Sequence, residues 1–121
     1  MIFDKLLEET RIPKMVKVKY HIQRGEVSAS QIPAIIRESL ESQHLLDRIE
    51  EGKTVALTCG SREICNIDII LRSVIELLKE KGAEPFIFPA MGSHGGANAE
   101  GQKEILAGYG VTEETMGVPV K

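Results

Sequence analysis

The fold is decided by one stretch, Pro89-Ala90-Met91-Gly92-Ser93-His94-Gly95-Gly96-Ala97-Asn98-Ala99-Glu100-Gly101, which holds four of the eleven glycines and one of the three histidines. The apolar run Glu84–Phe88 leads into it, and a helical pattern over Ala99–Gly108 follows. A strand that ends in glycines and then opens a helix is a common way for α/β proteins to build a ligand site. The stretch therefore predicts an α/β fold with a binding turn at His94.

The rest of the chain alternates helices with strands. The predicted elements are a helix over Phe3–Thr10, a strand over Val16–Ile22, a helix with the apolar stripe Ile32, Ile35, Ile36 and Leu40, a short helical piece at Leu45–Ile49, a strand over Thr54–Thr58, a helix over Ile67–Lys81, a strand over Pro85–Pro89, a helix over Ala99–Ala107 and a further turn over Thr112–Thr115. This alternation predicts a Rossmann-like three-layer α/β domain over residues 1–121, with a mostly parallel sheet and helices on both faces.

Two of the strand predictions include a burial pattern. Val16, Val18, Tyr20 and Ile22 alternate with polar residues, which predicts a strand with one solvent-exposed face. Thr54–Thr58 is a continuous and mostly apolar run, which predicts a strand that is buried on both faces.

The helix ends have side-chain signals of their own. Ser28 or Ser30 can cap the first long helix, and Asn66 and Asn98 stand where the next two long helices begin. Gly82 is expected to end the helix that Asn66 opens, because glycine is the residue most often found just after a helix.

Composition limits the class of protein. The 121 residues carry a net charge of −3, with scattered basic residues and no tryptophan, which argues against nucleic acid or a membrane surface as the main partner. No apolar run approaches the roughly 18 residues of a membrane span, and the N-terminus lacks a signal-peptide pattern, so a cytoplasmic location is expected. Cys59 and Cys65 are expected to be buried or half-buried free thiols.

A short pattern recurs 32 residues apart. Gly60-Ser61-Arg62 returns as Gly92-Ser93-His94, and each copy follows a predicted strand and precedes a predicted helix. In a parallel sheet both turns lie beyond the carboxyl ends of their strands, at the same edge, where open α/β folds bind ligands. Arg62 and His94 are therefore expected to face one crevice.

The residue types at this crevice suit an anionic ligand. Glycines allow a close approach to the backbone, and the N–H groups at the two helix starts favour a phosphate or a carboxylate. Arg62 can bind either group with two hydrogen bonds, and Ser61 and Ser93 add hydroxyl donors. His94 can transfer protons near neutral pH, so the set suits proton abstraction beside a carboxylate.

Other interpretations of the same residues remain open. His94 can be a turn residue without a catalytic role, and Arg62 can belong to a solvated turn. The histidine motif lacks the Gly-Lys-Ser/Thr ending of a phosphate-binding P-loop, the spacing of a dinucleotide fingerprint and the pattern of a hydrolase nucleophile elbow. The chain can therefore also be a non-catalytic nucleotide- or phosphate-binding module, or a structural domain.

The stretch Ala90–Gln102, with Gly60-Ser61-Arg62 upstream, resembles the N-terminal domain of the nickel-dependent lactate racemase family, in a branch with a Gly-Ser-His-Gly-Gly motif. The resemblance covers roughly residues 11–120. It implies a larger two-domain enzyme that racemises or epimerises a small 2-hydroxy acid with a nickel-pincer nucleotide. In that family the cofactor is bound covalently to a lysine, a histidine ligates the nickel, and two histidines exchange the hydroxyl proton.

The resemblance also assigns roles. His94 falls at the first of the two catalytic histidines, and Arg62 falls at the arginine that helps to hold the substrate carboxylate, with Ser61 beside it. The remaining turn residues become candidate cofactor-binding positions, namely Gly60, Gly92, Ser93, Gly95 and Gly96. The cofactor lysine, the nickel ligand and the second histidine would lie in a C-terminal domain beyond Lys121, so this chain by itself is expected to be inactive.

The sequence departs from lactate racemases in both turns. Their first turn reads Asp-His-Thr-Arg-Pro, whereas this chain has Cys59-Gly60-Ser61-Arg62-Glu63 and shares only the arginine. In the second turn, Gly95 and Gly96 follow His94, whereas lactate racemases have Arg-Pro after the histidine of that turn. Lactate itself is therefore not the expected substrate.

Overall fold

The computed structural model describes residues 14–21, 25–62 and 64–121. Helices and parallel strands alternate along these residues. The elements are helix α1 (Ile32–Ser42), strand β1 (Thr54–Cys59), helix α2 (Ile67–Glu80), strand β2 (Glu84–Pro89), helix α3 (Ala99–Gly108) and helix α4 (Glu113–Met116), with 3-10 turns at Ala29–Gln31, Leu46–Arg48 and His94–Ala97. The predicted mixture of helices and parallel strands is confirmed, and element ends differ from the prediction by a residue or so.

The sheet is small and parallel. β1 and β2 pair from Thr54 opposite Glu84 to Cys59 opposite Pro89, with α2 as the connection between them. On the other side of β2, Val120 forms an isolated parallel bridge with Ile87. The Ile87 N–H donates to Pro119 O at 2.9 Å, and the Lys121 N–H donates to Ile87 O at 2.9 Å. In the sheet, β2 therefore has β1 on one side and residues 119–121 on the other.

One hydrophobic core joins the sheet to the helices. Ile87 of β2 and Leu106 of α3 are completely buried, and Ile75 of α2 is nearly so. The cluster comprises Cys59, Ile67, Leu71, Ile75, Ile87, Met91, Leu106, Val111, Met116, Val118 and Val120. Burial of these side chains is the main favourable contribution to folding, because each large apolar side chain contributes about 1.5–3 kcal/mol. The core thereby fixes the carboxyl ends of both strands.

β1 does not have the burial that its apolar sequence predicts. Cys59 is buried and Val55 and Leu57 are half-buried, but Ala56 and Thr58 are exposed. The expectation of a strand buried on both faces is wrong within the described residues. The physical reason is that the core lies against the alternate residues 55, 57 and 59, and no described element covers the other face.

The predicted strand over Val16–Ile22 is not formed by its described part. Residues 14–21 are neither helix nor strand, and the side chains of Val16, Val18 and Tyr20 are 76–81% exposed. Alternation indicates a segment with two different faces, but a strand also needs a neighbour for its backbone hydrogen bonds, and no described residue pairs with this segment. Ile22 and the predicted helix over Phe3–Thr10 lie outside the described residues.

Two of the predicted signals at helix ends are confirmed. Asn98 caps α3, because its Oδ1 accepts a hydrogen bond of 2.8 Å from the Gly101 N–H. Gly82, with φ of 76°, follows the end of α2, as predicted. Asn66 precedes α2 in the left-handed conformation, but its side chain makes no capping hydrogen bond, so the prediction of a side-chain cap there is wrong. Ser28 forms a capping box with Gln31 on the 3-10 turn Ala29–Gln31, whereas α1 begins after Gln31 and has no side-chain cap, so the predicted serine cap on that helix is not formed.

Candidate functional site

The two related turns lie at the same edge of the sheet. β1 ends at Cys59 directly opposite Pro89 of β2. The ladder continues for one more bond, because the Ala90 N–H donates to Cys59 O at 2.8 Å. The chain then leaves both strands in the same direction, so the segments 60–62 and 92–94 start side by side.

The structure brings three of the predicted site residues into direct contact. Ser61 Oγ lies 2.6 Å from Nδ1 of His94. The Arg62 guanidinium reaches the other ring nitrogen of the same histidine, with Nη2 2.9 Å and Nε 3.2 Å from Nε2. We call Ser61, Arg62 and His94 the histidine cluster.

The hydrogen bonds assign the tautomer of His94. An arginine guanidinium has only N–H donors, so Nε2 of His94 must be the acceptor in this pair. The proton of the neutral imidazole then resides on Nδ1, which donates to Ser61 Oγ. Both ring nitrogens of His94 therefore have a hydrogen-bond partner, and the hydroxyl hydrogen of Ser61 remains available to donate to a further acceptor.

The turn that carries His94, residues 92–97, is packed closely against the first turn of α3. Gly95 and Gly96 adopt positive φ values of 60° and 68° between His94 and Ala97. A Cβ atom added to Gly95 would overlap the backbone of Gly101, and one added to Gly101 would overlap the backbone of Gly95. Both glycines thus have a packing reason for lacking a side chain, and the predicted role of Gly95 and Gly96 in cofactor binding stays a prediction.

Gly60 and Gly92 are in a different situation. A Cβ atom at either position would meet nothing within 4 Å, so their backbones border open space. The N–H groups of Gly60, Ser61, Gly92 and Ser93 donate no hydrogen bond to any group in the described part of the chain. These donors are available to a ligand, and an anion suits them best.

A cleft of about 480 Å³ lies beside the contact between the two turns. Its walls are formed by residues of the segments 60–64 and 90–93, namely Gly60, Ser61, Arg62, Ile64, Ala90, Met91, Gly92 and Ser93. His94 is not among them, and its Nε2 is covered by Arg62. Arg62 therefore supplies the positive charge at the border of the cleft. His94 lies behind it and is half-buried.

Two residues that sequence reasoning did not select hold the turns in place. Gln102 Nε2 donates to the carbonyl groups of Gly92 at 2.8 Å and His94 at 3.3 Å. The Tyr109 hydroxyl donates to Ser61 O at 2.9 Å. Gln102 could have been noticed because it is the last polar residue of the stretch Ala90–Gln102. Nothing in the sequence links Tyr109 to Ser61, which lies 48 residues earlier.

The two cysteines differ in their surroundings. Cys59 is buried and Cys65 is exposed, and both are free thiols. The expectation of buried or half-buried thiols is thus confirmed for Cys59 and wrong for Cys65, because the 3-residue segment before α2 lies at the surface. Burial raises the pKa of the Cys59 thiol, which makes it a poor nucleophile.

Within residues 14–21, 25–62 and 64–121, no group of three or more His, Cys, Asp or Glu side chains is placed to hold a metal ion. None of the helices formed by that part of the chain has the length and apolar character needed to cross a bilayer.

Compared with known proteins, the chain matches no protein-family model, no curated protein and no solved structure.

Proposed function

We propose that this chain is the N-terminal part of a racemase or epimerase that acts on a 2-hydroxy acid, and that it binds the substrate carboxylate and exchanges the hydroxyl proton. The observation that supports the proposal is the direct contact between the Arg62 guanidinium and the His94 imidazole beside an open cleft at the carboxyl ends of two parallel strands. Racemisation of a 2-hydroxy acid requires one protein group that binds the carboxylate and another that transfers the hydroxyl proton of the same substrate molecule.

Arg62 is the proposed carboxylate-binding residue. Its side chain is exposed, and its present acceptor is the neutral Nε2 of His94. A carboxylate is a stronger acceptor for a guanidinium than a neutral imidazole, and it accepts two parallel hydrogen bonds. A bound carboxylate is therefore expected to draw Arg62 away from His94, and the Ser61 hydroxyl and the free N–H groups of the cleft can then assist in holding the acid.

His94 is the proposed proton acceptor. Once Arg62 binds the carboxylate, the lone pair of Nε2 is free to accept the proton of the substrate hydroxyl group. Ser61 Oγ keeps its hydrogen bond with Nδ1 and so fixes the orientation of the ring before and after the transfer. The proton returns from Nε2 to the same oxygen in the reverse step.

The implied cofactor fits these residues only in part. The free N–H groups of Gly60, Gly92 and Ser93 fit the phosphate of a nucleotide, but the described residues offer no cluster of ligands for nickel. In this proposal the nickel ligands and the covalent lysine belong to a domain beyond Lys121. When bound, a nickel-pincer nucleotide would supply the acceptor for the hydride of the α-carbon.

The three-layer Rossmann-like architecture is part of the same proposal. The exposed residues Ala56 and Thr58 give β1 a face that a further layer can cover. In this proposal a third parallel strand next to β2 begins at the isolated bridge between Ile87 and Val120. Both features suit a sheet that continues beyond the two complete strands.

A second function is favoured by a specific observation. His94 does not line the cleft, whereas Arg62 does, together with the four residues whose backbone N–H groups have no acceptor among the described residues. This arrangement suits a non-catalytic module that binds a phosphate or a nucleotide without using the histidine.

The test is a chiral assay on the protein with its proposed following domain and the cofactor. A single enantiomer of a 2-hydroxy acid is incubated with the protein, and the opposite enantiomer is measured by chiral chromatography. His94→Ala is expected to lower the rate by about 10²–10⁴-fold, the usual contribution of a positioned acid–base group. His44→Ala is the matched control, because His44 is an exposed histidine that bonds Asp47 outside the cleft.

The two functions differ in the outcome. Interconversion that is lost in His94→Ala and kept in His44→Ala supports the racemase. Unchanged interconversion in His94→Ala contradicts the role of the histidine. A protein that interconverts no enantiomers but binds phosphate or a nucleotide, with binding weakened by Arg62→Gln and kept in His94→Ala, is the non-catalytic module.

A further inference from the structure

A second, smaller pocket adjoins the histidine cluster. It has a volume of about 140 Å³ and lies against Gly60, Ser61 and Arg62, with its remaining wall formed by the side chains of Ile64, Cys65, Ile67 and Tyr109. Arg62 also borders the larger cleft, as do Gly60, Ser61 and Ile64, so the two spaces share these residues. The small pocket is thus adjacent to the proposed carboxylate-binding group.

The wall of this pocket is mostly apolar and partly open to solvent. Ile64 is 50% exposed and Tyr109 is 46% exposed, although both are large side chains with apolar surface. The polar end of Tyr109 is already used, because its hydroxyl donates to Ser61 O at 2.9 Å. What remains for a ligand at Ile64 and Tyr109 is therefore hydrophobic contact rather than hydrogen bonding.

We infer that this pocket binds the apolar side chain of the acid whose carboxylate is held by Arg62. The inference rests on the proposed function and specifies its substrate class, a 2-hydroxy acid with an aliphatic or aromatic side chain. A cavity of about 150 Å³ in another protein holds a benzene molecule, so the pocket suits a side chain of about four to six carbons. The methyl group of lactate would leave most of it unfilled.

Cys65 provides a probe at the right place. Its thiol is free and exposed, and it lines the pocket. A ligand that fills the pocket is expected to shield this thiol from an alkylating reagent, whereas a ligand held at Arg62 alone is not.

The test measures the affinity of this chain for acids of increasing length by calorimetric titration. The series is glycolate, lactate, 2-hydroxybutanoate and 2-hydroxyhexanoate. Because a buried methylene contributes about 0.8 kcal/mol, the affinity is expected to rise about fourfold per added carbon while the pocket is being filled. In the wild-type chain, 2-hydroxyhexanoate at ten times its dissociation constant should slow the alkylation of Cys65 about tenfold, and glycolate should not slow it.

Two substitutions at one position serve as variant and control. Cys65→Phe places a larger side chain in the pocket and is expected to abolish the increase in affinity with chain length. Cys65→Ser keeps the volume and should keep the increase. The shielding of Cys65 in the wild-type chain gives an independent result if Cys65→Phe does not fold.

The outcomes separate this inference from the function on which it rests. If no 2-hydroxy acid binds, the proposed function fails and the inference fails with it. If glycolate and 2-hydroxyhexanoate bind equally and neither shields Cys65, the inference is overturned and the proposed function is unaffected. If hexanoate binds as tightly as 2-hydroxyhexanoate, the apolar pocket is supported and the racemase is contradicted.

Discussion

The contact between Gly95 and Gly101 gives the sharpest prediction about how the site is built. In Gly101→Ala the new methyl group would overlap the carbonyl oxygen and carbon of Gly95. No side-chain rotation can relieve this contact, because both partners are backbone. The turn that carries His94 must therefore move away from α3.

The magnitude follows from two opposing effects. Alanine is favoured over glycine inside a helix by about 1 kcal/mol. Forcing extra atoms into a packed contact costs about 1–3 kcal/mol, and a contact between two backbones belongs at the upper end of that range. The net expectation for Gly101→Ala is a loss of about 1–2 kcal/mol in the free energy of unfolding.

Gly108→Ala is the matched control in the same helix. A Cβ atom there meets nothing within 4 Å, and Gly108 does not have a positive φ. This substitution is expected to stabilise the protein by about 0.4–1 kcal/mol, so the two variants should differ by about 1.4–3 kcal/mol.

Urea unfolding followed by far-ultraviolet circular dichroism measures the free energy of unfolding of each variant. A second reading comes from the His94 ring nitrogens by nuclear magnetic resonance, which should change in Gly101→Ala and not in Gly108→Ala. If Gly101→Ala is as stable as Gly108→Ala and leaves the His94 resonances in place, the close packing of the histidine turn on α3 is refuted.

Two further predictions concern the surface and the core. In the native protein one equivalent of a thiol reagent should react quickly at Cys65, while Cys59 should react only on unfolding, because it is buried and its pKa is raised; fast reaction of both thiols would contradict the described core. Arg37 donates to Glu80 at 2.7 and 3.0 Å, and these bonds hold the pKa of Glu80 below its ordinary value. The pair therefore stabilises the fold at pH values above the ordinary pKa of a glutamate, and this stabilisation is lost as the pH falls through the lowered pKa of Glu80. Glu80→Gln should thus lower the urea midpoint slightly at neutral pH and by less at about pH 3. An equal difference at both pH values would count against the pair.

The sequence predicted most of what depends on neighbouring residues. Gly82 ends α2 and Asn98 caps α3 because both signals act within a few residues. The meeting of Arg62 and His94 was also predictable, since it follows from one general property of parallel sheets, namely that their strands end at the same edge.

Features that depend on distant partners were not predictable. The apolar sequence of β1 could not indicate that Ala56 and Thr58 would be exposed, because burial depends on which elements pack against each face. The alternation around Val18 could not supply a neighbouring strand. The bond from Tyr109 to Ser61 joins residues 48 positions apart, and no local pattern encodes it.

The central claim is that Arg62 and His94 bind one 2-hydroxy acid together. Glycolate and acetate differ only in the hydroxyl group, so their affinities for this chain, measured by nuclear magnetic resonance titration, test the claim directly. We expect glycolate to bind about two- to tenfold more tightly than acetate, the contribution of one hydrogen bond. His94→Ala should remove this difference, and Arg62→Gln should weaken both acids by about tenfold or more. Equal binding of the two acids, or a difference that survives in His94→Ala, would contradict the claim.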